Sequence, residues 1–179
     1  IAQMNLVVVY LRSKISKSEK KIPLPLALGD EPFVTIQLPI YNELYVAERL
    51  LDCIASFDYP REKMEIQVLD DSYDETVSLI ASKVQFYQGL GVQIYHVRRS
   101  DLTGFKAGAL AYGLSIAKGS YIAIFDSDFL PEKDFLRRTL PVFLNDNVGL
   151  VQTRWDHLNK NYSLITQLQS FGLDAHFSI

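Results

Sequence analysis

Short β-rich runs alternate with helical stretches along most of the chain, and this alternation restricts the fold more than any other feature. Val34–Leu38, Met64–Leu69, Val92–Val97, Tyr121–Phe125 and Val148–Gln152 read as strands. Between them, Leu44, Val46, Ala47, Leu50, Leu51, Ile54 and Ala55 share one helical face. Further helices are predicted from Asp74 to about Tyr87, from Gly104 to about Lys118 with Gly119 as C-cap, and over Pro131–Leu144 with Pro131 near N1. Helical spacing returns from Leu164 onwards. Such a pattern predicts an α/β fold, a mainly parallel sheet with helices on both faces. In sheets of this kind ligands bind outside the carboxyl ends of the strands.

Acidic residues gather at those ends. Glu43 follows the first strand, Asp70 and Asp71 the second, and Asp126 and Asp128 the fourth. The last pair closes the run Tyr121-Ile-Ala-Ile-Phe-Asp-Ser-Asp128. Residues two apart in an extended backbone point the same way, so the two carboxylates repel unless a cation sits beside them. A polar loop with a helix-capping Asp is the bland alternative, and the recurrence of acids at successive strand ends argues against it. A hard cation, Mg²⁺ or Mn²⁺, takes carboxylate and phosphate oxygens together, which suits a nucleoside diphosphate. Neither a Walker loop nor a Gly-x-Gly-x-x-Gly turn is present, so an NTPase and a dinucleotide dehydrogenase both fit badly. What remains is transfer of the group attached to the diphosphate, with the metal stabilising the departing charge.

The totals agree. The 179 residues suffice for one domain with a core, and the net charge of −3 leaves no basic footprint for nucleic acid. The single cysteine, Cys53, excludes an internal disulfide and reads as core. Residues 1–32 read as an arm or linker, and the domain as residues 33–179. The apolar stretch at residues 4–11, followed by Arg12, Lys14, Lys17, Lys20 and Lys21, is too short to span a bilayer. It suits either the end of a membrane helix with a basic cytoplasmic flank or an arm packed on the domain. Ile1 and Ile179 both look like cut ends of a longer protein.

Five ordered blocks carry a more specific resemblance. They are Gln37-Leu-Pro-Ile-Tyr-Asn-Glu43, Gln67-Val-Leu-Asp-Asp-Ser72, Gly104-Phe-Lys-Ala-Gly-Ala-Leu110, Ala123–Phe129 with Pro131 and Asp134–Arg138, and Val151-Gln-Thr-Arg-Trp155. Together they make residues 33–179 resemble the family 2 glycosyltransferases of GT-A (Rossmann-like) fold, within these the cellulose-synthase-like enzymes, and most of all the mannan and glucomannan synthases.

The resemblance implies a metal-dependent, inverting hexosyltransferase that uses a UDP- or GDP-linked sugar to extend a β-linked polysaccharide acceptor. The full-length protein would sit in a membrane with its catalytic domain on the cytoplasmic side, and the fragment itself would be soluble. Pro39, Tyr41 and Glu43 would border the nucleotide, and Asp70 or Asp71 would meet the base. Lys106 would meet the diphosphate. Asp126, Ser127 and Asp128 would complete the donor site, with Asp126 and Asp128 holding Mg²⁺ or Mn²⁺. Two departures limit this. The family's catalytic base lies in an acidic motif past residue 179, so no catalytic residue is assigned here and the fragment would bind donor without completing transfer. Gln152-Thr-Arg-Trp155 is one residue short of the family's Gln-x-x-Arg-Trp motif and too early; it resembles the block of mannan-synthase relatives, with Trp155 on the sugar or acceptor side. A non-processive transferase acting on a lipid phosphate or other acceptor, and a nucleotide-sugar-binding module without turnover, stay open. His96 reads as structural and Asp174 as helical surface; Arg98 and Arg99 read as a solvated loop, with the lining of the donor cleft as the alternative. Leu173, Phe177 and Ile179 suggest dimerisation or disorder at the C-terminal end.

Overall fold

The computed structural model describes Gly29, residues 31–153 and residues 162–167. The chain divides into two compact units, Leu24–Pro141 and a second made of Ile1–Pro23 with Val142–Ile179. In the second unit the described residues form turns, with Ser163 and Thr166 capping one helical turn through reciprocal side-chain-to-backbone bonds of 3.2 and 2.9 Å. Among the described residues no helix is long and apolar enough to cross a membrane.

The Leu24–Pro141 unit holds a four-stranded sheet: β1 (Val34–Ile40), β2 (Met64–Asp70), β3 (Ile94–Val97) and β4 (Tyr121–Ile124). The spatial order is β3-β2-β1-β4 and every pairing is parallel, with Ile40 opposite Asp70, Leu69 opposite Val97 and Gln37 opposite Ile124. The chain therefore steps outward from β1 to β3 and then returns to the other side of β1. The switch point lies between β1 and β4, where open α/β sheets place their ligands.

The two sheet faces differ. Val34, Ile36, Leu38 and Ile40 alternate onto one face with Met64, Ile66 and Val68, and all are buried. Their core continues into α1 (Leu44–Ala55) through Ala47, Leu50, Leu51 and Ile54, and into α2 (Thr76–Gly89) through Ile80 and Val84. The opposite face carries buried polar side chains: Thr35 donates to Glu65 at 2.7 Å and Gln37 to Gln67 at 3.1 Å. Helix α3 (Phe105–Ser115) lies on this face, buried at Ala109 and Gly113. A Cβ on Gly113 would stand 2.7 Å from Gln37 Nε2 and 2.9 Å from Gln67 Oε1, so a larger residue would push on this buried glutamine pair.

Four sequence expectations are corrected. Val148–Gln152 is not a strand; a turn holds its start, with Val148 N–H donating to Asn145 O at 2.9 Å, and Gly149 weakens strand formation. The helix over Pro131–Leu144 shrinks to α4 (Phe135–Thr139) followed by a 3₁₀ segment, Leu140–Leu144, because Pro141 has no N–H to continue the α ladder. Gly119 does not cap α3, which ends at Ser115. It makes a close approach to β1 instead, donating to Thr35 Oγ1 at 2.8 Å, and a Cβ there would lie 2.3 Å from Thr35 N. Cys53 is half-buried rather than core, its thiol donating to Pro131 O at 3.2 Å. Leu173, Phe177 and Ile179, like residues 1–28, lie outside the described residues.

Candidate functional site

The loops that leave β1 and β2 are stitched together. Asn42, held in the left-handed region at φ 54°, donates its N–H to Ser72 Oγ at 2.8 Å and accepts the Tyr73 N–H on Oδ1 at 3.1 Å. Asparagine tolerates this backbone better than any branched residue. Asp71 N–H closes the stitch on Ile40 O at 3.0 Å. Above it stand two exposed rings, Tyr41 and Tyr73, edge to face with centroids 5.8 Å apart. Pro39 sits inside β1 opposite Leu69.

The acids of β2 are tied down. The Asp70 side chain has no exposed surface. One oxygen accepts the Ser72 N–H at 2.9 Å; the other meets His96 Nε2 at 2.7 Å and Arg98 Nη1 at 3.2 Å. Burial pushes the Asp70 pKa up, but hydrogen bonds from His96 and Ser72 outweigh it and hold the carboxyl below its ordinary value. Asp71 receives a two-pronged grip from Arg99, 2.9 Å from Nε and 2.6 Å from Nη2. The Arg99 side chain is only 9% exposed, so it is no solvated loop residue. Hydrogen bonding to Asp71 raises its pKa further.

The acids after β4 are arranged otherwise. Phe125 N–H still reaches Gln37 O at 3.2 Å, and then the backbone turns, with Phe129 N–H on Asp126 O at 3.0 Å. Asp126-Ser127-Asp128 is thus a hydrogen-bonded turn, not the extended segment expected, because the β1 ladder ends at Gln37. Asp126 pairs with Lys106 from the first turn of α3. Ser127 is buried and donates to the carboxylate of Glu43, the residue at the N-cap of α1, across the β1/β4 switch point. Asp128 is exposed and makes no hydrogen bond or ion pair among the described residues.

The structure thus gathers Tyr41, Glu43, Asp70, Asp71, Lys106, Asp126, Ser127 and Asp128 along one edge of one sheet. Trp155 lies outside the described residues. No group of three or more His, Cys, Asp or Glu side chains suited to a metal occurs among the described residues. Two neighbouring carboxylates suit a hard cation as part of its shell, the remaining positions being taken by water and phosphate oxygens. Sequence reasoning missed Asn42 and His96 as members of the edge, and preferred a solvated loop to the cleft for Arg98 and Arg99. The legible signal was their place: two arginines directly after a strand that neighbours the one ending in Asp70-Asp71.

Residues 35–177 match the model of glycosyl transferase family 2. The chain belongs to that family. Its relatives include a probable glucomannan 4-beta-mannosyltransferase 11 of Oryza sativa, 44% identical over 82% of this chain and 26% of its own length. Glucomannan 4-beta-mannosyltransferase 2 of Arabidopsis thaliana is 35% identical over 98% of this chain and 35% of its own. This family 2 chain therefore spans about a quarter to a third of these curated relatives. Among solved structures it is similar to the mannosyltransferase PcManGT of Pyrobaculum calidifontis in complex with GDP-Man and Mn²⁺. The TM-score is 0.70 and the identity 32%, over 80% of this chain and 41% of that one. TarS of S. aureus shares the fold, with a TM-score of 0.54 at 20% identity over 70% of this chain and 40% of that one. The family 2 chain thus has the GT-A α/β fold.

Proposed function

We propose that this chain carries the donor-binding half of an inverting, metal-dependent transferase that moves a mannosyl unit from GDP-mannose to a growing β-linked polysaccharide. The observation that supports this best is the β1/β4 edge: one carboxylate is paired with a lysine, and its neighbour two residues on is exposed and unpaired among the described residues. GDP-mannose is favoured over UDP-glucose by the 32% identity to a mannosyltransferase in complex with GDP-Man, together with the glucomannan mannosyltransferase relatives.

In this reading Tyr41 and Glu43 border the nucleotide, and Pro39 shapes the strand end beneath them. Asp71, which keeps 10% of its side chain exposed beside Arg99, is the acid that meets the base, and Asp70, with no exposed side-chain surface, serves as its anchor. Lys106 offers a point charge to the diphosphate. Asp126 and Asp128 would hold Mn²⁺ or Mg²⁺, whose charge would stabilise the departing diphosphate. Ser127 fixes the turn between them. The acid that deprotonates the acceptor hydroxyl is assigned to a part of the protein outside these residues, and the whole protein to a membrane with this domain on its cytoplasmic side.

Isothermal titration with GDP and UDP, with and without Mn²⁺, tests the donor site. GDP should bind more tightly than UDP and only weakly without metal, and Asp128→Ala should weaken the metal-dependent part at least about tenfold, the scale of one lost charged contact. Metal-independent binding, or none by a folded protein, would sink the reading.

A further inference from the structure

We propose that Arg99 is a positioning residue that sets Lys106 at the diphosphate and couples it to the base side of the site. The proposal rests on the reading of Lys106 given above. Arg99 spends its planar fork in two directions. Nε and Nη2 grip Asp71, at the end of β2. Nη1 and Nη2 also donate to three carbonyls of the loop that leads into α3: Leu102 O at 3.2 Å, Thr103 O at 2.8 Å and Phe105 O at 2.8 Å. The last of these belongs to the peptide whose nitrogen is that of Lys106.

That loop needs holding. Gly104 and Phe105 both lie in the left-handed region, at φ 80° and 48°. For phenylalanine this is a strained conformation, which persists only where the surroundings over-determine it. Phe105 is 84% exposed, so burial of its side chain does little to hold the step. The guanidinium of Arg99 is what spans the strained step. The helix makes room for it: a Cβ on Gly108 would lie 2.1 Å from Thr103 O and 2.5 Å from Arg99 Nη1. A lysine at position 99 would keep the charge beside Asp71 and lose the fork that reaches the loop.

The test compares GDP with GMP, in Mn²⁺, because the ratio of their affinities isolates the diphosphate end from the base end. Lys106→Ala should cut the GDP preference about tenfold, the scale of one charged hydrogen bond. Arg99→Lys should lower the same ratio several-fold, and should lower it no further when added to Lys106→Ala. Gly108→Ala, which keeps the arginine but wedges its guanidinium and the loop apart, should reproduce the effect. If Arg99→Lys loses its cooperative thermal melt, Gly108→Ala alone decides between the outcomes. Equal weakening of GDP and GMP by Arg99→Lys or Gly108→Ala, or an effect additive with Lys106→Ala, would overturn the positioning role while leaving Lys106 at the diphosphate. A ratio untouched by Lys106→Ala, or no GDP binding by the parent chain, would overturn that reading of Lys106 and the positioning role with it.

Discussion

Asp70 and Asp71 at the end of β2, and Asp126 and Asp128 after β4, belong to the same edge of one parallel sheet, and they live in opposite surroundings. The β2 pair is held by cations: Asp70 is buried, Asp71 keeps 10% of its side chain exposed, and His96, Arg98 and Arg99, all arriving from β3 and the loop behind it, grip their oxygens. The β4 pair has Lys106 on one member and no partner among the described residues on the other. The difference comes from neighbours, not from the acids. β2 is flanked by β3, which ends in cations, whereas β4 has a neighbour only on its β1 side among the described strands. A buried carboxylate must be paired or it destabilises the fold, while an exposed one is free to meet a ligand. Strand-end acids of similar appearance can therefore serve as frame in one place and as contact in another.

The sharpest way to break this comparison is to remove one acid from each side. Asp70→Ala would leave His96 and Arg98 without their shared carboxylate and should cost about 3–5 kcal/mol. Asp128→Ala should stay within about 0.5 kcal/mol of the parent, as exposed substitutions do. Urea unfolding followed by circular dichroism reads both. Equal costs would mean that the two pairs are not different in kind.

The next effect belongs to the β4 side alone. GDP at about a hundred times its dissociation constant, with Mn²⁺, should stabilise the parent by about 2.7 kcal/mol. Chelating the metal, or Asp128→Ala, should remove nearly all of it in the same unfolding assay. Stabilisation that survives chelation would place the diphosphate on Lys106 without a metal.

Acid titration probes the β2 side. The folded Asp70 carboxyl titrates below its ordinary value of 3.8. A depressed carboxyl contributes stability that is complete above the unfolded value and lost as pH falls through the folded one. Its contribution should be intact from neutral pH to about 4 and decline below that. Asp70→Asn should lose part of this limb and keep the part owed to Glu31 and Asp101, whose carboxyls are also held below their ordinary values; an identical acid limb in both proteins would assign it to other carboxylates.

Much of the frame was legible. Val34–Leu38, Met64–Leu69 and Tyr121–Phe125 are β-rich runs bounded by turn residues, and α1 shows its buried stripe at helical spacing, so local chemistry sufficed. Val148–Gln152 looked alike and is no strand, since a short apolar run with a glycine needs a pairing partner that sequence does not name. The strand-end acids were legible as a set. Their division into tied and free was not, because the ties run between residues 26 and 28 apart and exist only once β3 lies beside β2. Gly119 shows the same limit: a glycine after a helix reads as a cap, and here it serves an approach to β1 that is 84 residues distant in sequence.

The smallest predicted effect tests what lies beneath the free carboxylate. Ser127 stands between Asp126 and Asp128, is 7% exposed, and donates to Glu43 across the switch point. Ser127→Ala keeps the turn closed by Phe129 and Asp126 but cuts the only link described between the β1 loop and that turn's side chains. Glu43 is half-exposed, so water can replace the lost donor, and the cost should be about 1 kcal/mol, that of one ordinary hydrogen bond. Metal-dependent GDP binding should weaken by only a few-fold, because the carboxylates remain and lose their fixed spacing alone. A loss as large as that of Asp128→Ala would make Ser127 a direct ligand. Unchanged stability with unchanged binding would mean that the turn holds itself, and the free side of the edge would then need no frame at all.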